Sequence, residues 1–451
     1  MQQRPYPVYA LYDLHRFRIL LLIPAIRLVT AVIRGIPPAI RWFEWLIGLT
    51  LIAYVVLKWW NCHYQFSESV SGRFHTLYVR QGIVCRRWLR IAAEDAASVE
   101  IERTPLLWLL GGRRVRVNTA GLRRRADVQL YLSAPNTHRL FSFGKGGHYR
   151  APRWPIIVIS LSGSNAAVGL LTIAPILRYS SNLLERFTGW LSNPLSDTLP
   201  PVLRLSANVL LIGWGVSAVR NFIRYVGFRA RRDDGYLHLR SGWITRRDIL
   251  IDRNKITALE LRQTLTMRLF SLSTAVITAA GYGRDVGTRP VLVPAARPRE
   301  LGHCLDQLLP DYPLCCSRLR PQRGVWRYVA APIVMLCADI VIFAFGMWWR
   351  TVALVGMVFT VWWLAVRFVG YRQAGFGCGG GAVTVSYPYG LALYRVDIPC
   401  EVVDSITVTR SCFQRVCGKC TVRIRCYGEK KRLHRVWELP YDAVCREIEK
   451  L

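Results

Sequence analysis

The sequence predicts a multi-pass α-helical membrane protein in which three transmembrane hairpins alternate with three copies of one small β domain. Three observations carry this. A long segment occurs twice in register, with a weaker third version near the C-terminus. Apolar runs of membrane length precede each copy. Within a copy, apolar residues alternate with polar ones at a period of two, the mark of half-buried antiparallel strands.

The repeat defines the frame. Residues 77–121 and 237–281 align without a gap, matching Leu77 with Leu237, Gly82 with Gly242, Arg86-Arg87 with Arg246-Arg247, Glu100 with Glu260, Thr104 with Thr264 and Leu109 with Leu269. In the third copy Gly390 takes the place of Gly82, and Ile398 takes that of Ile91 after one deleted residue. Val416-Cys417-Gly418 then follows Leu109-Leu110-Gly111. A shared register this long means duplication, which fixes architecture before any residue chemistry is considered.

The hairpins come next. Residues 154–177 carry no charge and exceed the ~20 residues that cross a bilayer core. Residues 329–349 and 351–366 form a pair around Arg350. Residues 202–226 span if Arg204, Arg220 and Arg224 snorkel from their ends. The first pair, 17–33 and 42–60, is the least regular, because Arg27 lies inside it. The expected order is a tail (1–16), hairpin (17–61), domain (62–152), hairpin (153–226), domain (227–312), linker (313–325), hairpin (326–371) and domain (372–451). A chain of 451 residues has room for three domains.

No cleavable signal peptide is expected. The net charge of +33 lies almost wholly between the apolar runs. By the positive-inside rule, all three domains and both termini face the cytoplasm of a bacterial plasma membrane.

Inside a copy, Val99 and Ile101 alternate with Glu100 and Glu102, and Val115 and Val117 with Arg114 and Arg116. Gly82 and Gly242 mark hairpin turns. Residues 106–110 read as one helical turn closed by Gly111. The slot shared by Leu109, Leu269 and Val416 is expected to plug the core, the alternative being an exposed loop that dips into lipid. Residues 297–309 and 441–451 are amphipathic capping helices, the first with Leu301, Leu305 and Leu308 on one face and the second with Val444, Ile448 and Leu451 on one face. The first copy shows no such helix, only the glycine-containing stretch 141–149.

Gly82-Ile83-Val84 followed by Arg86-Arg87 and Ile91, the turn from Thr104 to Gly111, and Val115, Val117 and Thr119-Ala120-Gly121 together resemble the membrane-flanked bacterial PH-like domain family in its multi-copy, YdbT-like form. The resemblance covers nearly the whole chain. It implies a bent antiparallel sheet or partial barrel capped by a C-terminal helix. It also implies a membrane protein of no established enzymatic activity, with roles suggested in envelope stress or antimicrobial resistance.

The residues themselves offer no enzyme and no cofactor site. The eight histidines are scattered without ligand spacing. Residues 375–381 are glycine-rich but lack the Lys-Ser/Thr ending of a phosphate loop, and read as a flexible lead-in to the third domain. Ser162 and Ser164 lack a nucleophile elbow. Cys417-Gly418-Lys419-Cys420 is half a tetrahedral metal site. The alternation Cys420, Val422, Ile424, Cys426 instead reads as one strand face, so free thiols and no metal are expected.

Asp339 lies inside an apolar run, where an ionisable group costs about 2.5–3.5 kcal/mol on the insertion scale. It reads as a single carboxyl, protonated or bonded to one neighbouring helix, in preference to a proton or ion relay or a polar contact joining hairpins. The basic clusters are the best binding candidates: Arg86, Arg87, Arg90, Arg113 and Arg114, then Arg246 and Arg247, then Lys430 and Lys431. Each is worth about 1 kcal/mol near an anionic leaflet, although cytoplasmic topology alone also accounts for them. Nothing resembles a helix-turn-helix or an RNA-binding aromatic pair, so no nucleic acid is expected. The expected partners are anionic lipids and a membrane protein or second copy. A non-enzymatic scaffold is the leading reading. The rival is a transporter, with Asp339, Ser162, Ser164 and Asn165 lining one cavity.

Overall fold

The computed structural model describes residues 3–10, 42–68, 74–83, 85–119, 128–140, 148–164, 201–233, 235–279, 290–315, 319–322, 324–346, 350–426 and 433–450. It falls into two compact units, one of residues 1–145 with 244–252 and the other of residues 146–243 with 253–451.

In the first unit, helix α1 (Trp42–Trp60) leads into strands β1 (His63–Glu68), β2 (Phe74–Gln81) and β3 (Arg87–Ala92), an antiparallel three-stranded sheet. Strand β4 (Ala96–Arg103), the short helix α2 (Pro105–Leu109), β5 (Gly112–Thr119) and β6 (Val128–Ser133) form a second sheet. Their inward residues make one core, centred on Leu77, Ile91, Ile101, Val115 and Leu130. Contrary to the sequence expectation, this copy does have a helix after its last strand: α3 (Ala134–Leu140). It lacks an apolar stripe and is tied down by polar contacts, Thr137 Oγ1 donating to Ser133 O at 2.8 Å and Asn136 to Tyr64 Oη at 3.4 Å. The segment before α1 also folds onto this domain. Tyr6 N donates to Tyr131 O at 2.9 Å, and Val8 and Tyr9 pack with Leu107.

The same order recurs twice. After β7 (His148–Arg150), α4 (Arg153–Ser162) and α5 (Pro201–Tyr225) come β8 (Arg229–Asp233), β9 (Tyr236–Ser241), β10 (Arg246–Asp252), β11 (Ile256–Thr264), α6 (Leu265–Leu269), β12 (Ser273–Ala279), β13 (Val291–Ala296) and α7 (Pro298–Leu308). Then α8 (Val325–Phe345) and α9 (Arg350–Gln373) precede β14 (Gly375–Gly379), β15 (Ala382–Tyr389), β16 (Ala392–Pro399), β17 (Val403–Thr409), α10 (Cys412–Val416), β18 (Lys419–Cys426), β19 (His434–Pro440) and α11 (Tyr441–Ile448). The glycine-rich segment is therefore strand β14 and not a loose lead-in. It pairs along β15 and buries Phe376 and Cys378 in the third core.

The expectation of a multi-pass α-helical membrane protein does not hold. Most described elements are antiparallel strands, and among the described residues only those within α8 and α9 form helices long and apolar enough to cross a membrane. The uncharged run 154–177 is described as helix only over α4. There Val158 packs with Met267, Leu272 and Ala295 of the β domain. Helix α5 carries Arg204, Arg220 and Arg224 and is not among the membrane-length apolar helices. Residues 17–33 lie outside the described residues. A helix face that packs on a sheet is as apolar as one that meets lipid, so composition alone cannot separate them.

Consecutive copies share sheets. Strand β10 of the second copy pairs antiparallel with β4 of the first, and β16 of the third with β11 of the second. The first junction carries a charge network: Glu102, buried, binds Arg114 and lies 3.4 Å from the Arg247 guanidinium. Removing one partner from a buried pair typically costs about 3–5 kcal/mol, because the remaining charge is left uncompensated. Glu102→Ala is accordingly expected to destabilise the full chain by that amount in denaturant unfolding. Glu94→Ala, on an exposed turn, should change it by less than about 0.5 kcal/mol.

Candidate functional site

In every copy the fourth strand ends in a capped helical turn. Thr104, Thr264 and Ser411 each accept, through the side-chain oxygen, the backbone N–H of the residue three positions on, at 3.3 Å. This fixes a five-residue helix whose third residue, Leu107, Met267 or Gln414, is buried. The chain then turns back through a left-handed residue: Gly111 (φ 69°), Ser271 (φ 51°) or Gly418 (φ 65°). The residues just before it are thrown outward. Leu109 is 76 % exposed, Leu269 78 % and Val416 89 %. The sequence expectation of a core plug in that slot is therefore wrong by two positions. At 3.6 residues per turn, Leu107 and Met267 face the core and Leu109 and Leu269 cannot.

Around these tips the exposed surface is apolar and basic. Leu106, Trp108, Phe270 and Phe413 are all exposed. Arg268 and Arg415 are exposed beside them, and the Arg103 guanidinium lies 5.9 Å from the Trp108 ring. Exposed contiguous apolar residues with a polar surround mark an interaction surface.

The turns between second and third strands add to it. Gly82 (φ 124°), Gly242 (φ 94°) and Gly390 (φ 58°) adopt conformations that favour glycine. Ile244, Tyr389 and Leu391 are exposed there. Sheet register decides where these turns go. Arg246 faces Arg103 across β10 and β4, so Ile244 emerges at the same end of that sheet as α2. Ala392 faces Thr264 across β16 and β11, which sets Tyr389 and Leu391 at the same end as α6. Gly370, in the last turns of α9, abuts Pro388 of β15. The apolar tips of the second unit thus lie where a membrane-length helix joins the domain. A cleft beside that joint is lined by Gln263, Gln373, Tyr394 and Arg395 together with Leu261 and Leu393.

The basic residues named from sequence divide sharply. Arg86, Arg87, Arg90 and Arg246 are exposed. Arg114 is buried against Glu102, Arg113 is half-buried, and Arg247 is held by the same carboxylate. Lys430 and Lys431 lie outside the described residues. Asp339 is half-buried between α8 and α9, where it accepts the Thr360 hydroxyl at 2.7 Å, and a Cβ on Gly356 would come within 2.9 Å of it. Ser162 bonds Thr264, and Ser164 bonds the Ser160 carbonyl. Asn165 is outside the described residues. The exposed aromatic residues of the turns escaped sequence reading because Leu-Leu-Trp-Leu-Leu looks like core. The usable signal was that the second copy puts Arg268 in the middle of the same turn.

The cysteines separate likewise. Cys412 and Cys417 are exposed, while Cys420 and Cys426 face the third core. Burial pushes the Cys420 thiol up to about 11 and that of Cys378 up to about 12. Thiolate is the reactive form. At pH 8 iodoacetamide should therefore modify Cys412 and Cys417 of the folded chain and spare Cys378 and Cys420 until denaturant is added, as read by peptide mass spectrometry.

Small antiparallel domains with a C-terminal helix, carrying apolar turns beside a membrane-length helix pair, define a membrane-associated protein of the pleckstrin-homology type. Residues 18–143 and 194–309, more than half of the chain, match the bacterial PH domain family, and the chain belongs to it. It is similar to UPF0699 transmembrane protein YdbT of Bacillus subtilis (strain 168), 24% identical over 196 residues. That alignment takes in 42% of this chain and spans 39% of the relative's length. No solved structure matches.

The turn geometry is open to a direct check. Met267→Ala should destabilise the folded chain by about 2–5 kcal/mol, the range for a truncated core side chain. Leu269→Ala should leave the denaturation midpoint nearly unchanged, within about 0.5 kcal/mol.

Proposed function

We propose that this chain is a non-enzymatic scaffold whose PH-like domains lie on the cytoplasmic face of the bacterial plasma membrane and bind anionic lipid headgroups. The observation that carries this reading is the exposed apolar turn at the same place in all three copies, with arginines beside it. Each large apolar side chain moved out of water is worth about 1.5–3 kcal/mol. Each nearby basic residue adds about 1 kcal/mol at an anionic leaflet. A domain already tethered by α8 and α9 needs little more to stay docked. A protein partner held on the same scaffold, in envelope stress or antimicrobial resistance, is in keeping with the family resemblance.

The polar groups of the apolar segments favour a scaffold over a transporter. Asp339 and Thr360 bond each other at a helix contact, and Ser162 bonds a domain residue. Each is satisfied where it packs.

The full chain in lipid nanodiscs tests docking. Its exposed cysteines are first replaced by serine, and an environment-sensitive fluorophore is placed at Leu109→Cys or Leu269→Cys. In discs rich in anionic lipid the label should be quenched by brominated acyl chains, less so in zwitterionic discs. Quenching should weaken at 1 M salt, where the screening length falls to about 3 Å. A label that stays in water whatever the lipid charge contradicts the proposal.

A further inference from the structure

The two internal junctions use one and the same strand register. Glu100 faces Ile249 across β4 and β10, and Glu260 faces Val396 across β11 and β16. These are corresponding positions of the repeat, and six residue pairs are formed at each junction. The fourth strand of one copy thus takes the third strand of the next. This is a heterologous contact, in which the two surfaces differ. Three copies joined this way leave one surface of each kind unused. Among the described residues β3 of the first copy is the end of its sheet, and so is β17 of the third.

Both ends look like vacant halves of that junction. All of β4 except Arg103 is buried, and β11 is buried from Ile256 to Glu260, whereas no residue of β17 is buried. Strand β17 keeps the β-branched residues Val403, Ile406, Thr407, Val408 and Thr409. It carries no lysine or proline, and its one charged residue, Asp404, sits at the irregularity between Val403 and Ser405 in the pairing with β18, leaving Ile406 to Thr409 uncharged. Strand β3 presents Trp88, 68 % exposed, between Arg87 and Leu89, with the Arg80 guanidinium 4.8 Å from its ring. An exposed aromatic residue on a strand edge suits the centre of an interface.

We infer that copies of this chain associate head to tail, β17 of one pairing antiparallel with β3 of the next in the register of the internal junctions. Thr407 then faces Leu89, Ile406 faces Arg90 and Val408 faces Trp88. The pairing also sets the first copy's Gly82 turn beside α10. This repeats the arrangement of Ile244 beside α2 and of Tyr389 beside α6, and completes a third tip of the same kind.

The test uses the full chain in liposomes, with Cys85, Cys337, Cys412 and Cys417 replaced by serine. One preparation carries Leu89→Cys and a first tag, the other Thr407→Cys and a second tag. Mild oxidation of the mixture should give a disulfide-linked species bearing both tags, at least tenfold above the dimer from either preparation alone. Equal yields from single preparations, or no mixed species, overturn the inference. A second measurement is independent of cysteine chemistry. Mass photometry of the solubilised chain should show dimers and larger species, and Thr407→Lys, at an exposed position, should reduce them to monomers without lowering the melting temperature. A monomeric parent chain, or oligomers that survive Thr407→Lys, also overturn it.

Discussion

Backbone hydrogen bonding along the fourth strand of each copy sets the rest of the structure. A strand edge carries a row of N–H and C=O groups that cost free energy if buried without partners. In β4 and β11 that edge is filled by the third strand of the following copy. Side chains follow the backbone across the junction. Leu250 of the second copy packs on the first core, and Ala258 of the second copy belongs to the third. The copies are therefore not beads on a string. The second copy supplies β10 to the first unit, and an excised segment 227–312 would lose partners on both sides.

This explains what the sequence revealed and what it did not. Period-two alternation placed Val99, Ile101, Val115 and Val117 on the inward face, and they are buried there. The run 106–110 closed by Gly111 marked the short turn, because a single helical turn with its closing glycine is a local arrangement of near neighbours. Pairing between copies is non-local and leaves no such trace. Glu100 and Glu102 read as the solvent face of a half-buried strand. They are buried because Arg114, Arg116 and Arg247 neutralise them from adjacent strands. The same neutralisation removed Arg114 and Arg247 from the set of free basic residues. Apolar runs misled in the opposite direction, since Val158 of α4 serves a core and not a bilayer.

The exposed turns put an apolar cost where a soluble domain would avoid one. Trp108, Leu109, Phe270 and Val416 stay in water only if nothing covers them. Their capping residue and left-handed closing residue hold the backbone so that these side chains cannot fold back onto the core. Rigid presentation of apolar side chains lowers the entropy lost on insertion. On the proposed docking to a bilayer, the arginines alongside would choose among surfaces, because their contribution depends on lipid charge and the apolar one does not.

A duplicated unit whose copies meet through unlike surfaces cannot close on itself by adding more units of the same kind. It gains a junction with each copy and keeps one open edge at each end, unless the rotation per copy brings the ends together. Among the described residues the first and last open edges are β3 and β17. Solvent-facing edges are commonly blunted by charge, proline or a bulge, and in β17 the charge and the irregularity are confined to Asp404 at its start. Val403, Ile406 and Val408 remain instead, half-buried along an edge whose counterparts β4 and β11 are covered. On the proposed head-to-tail association, attachment to a membrane would confine neighbouring chains to one plane, where β17 of one can reach β3 of the next.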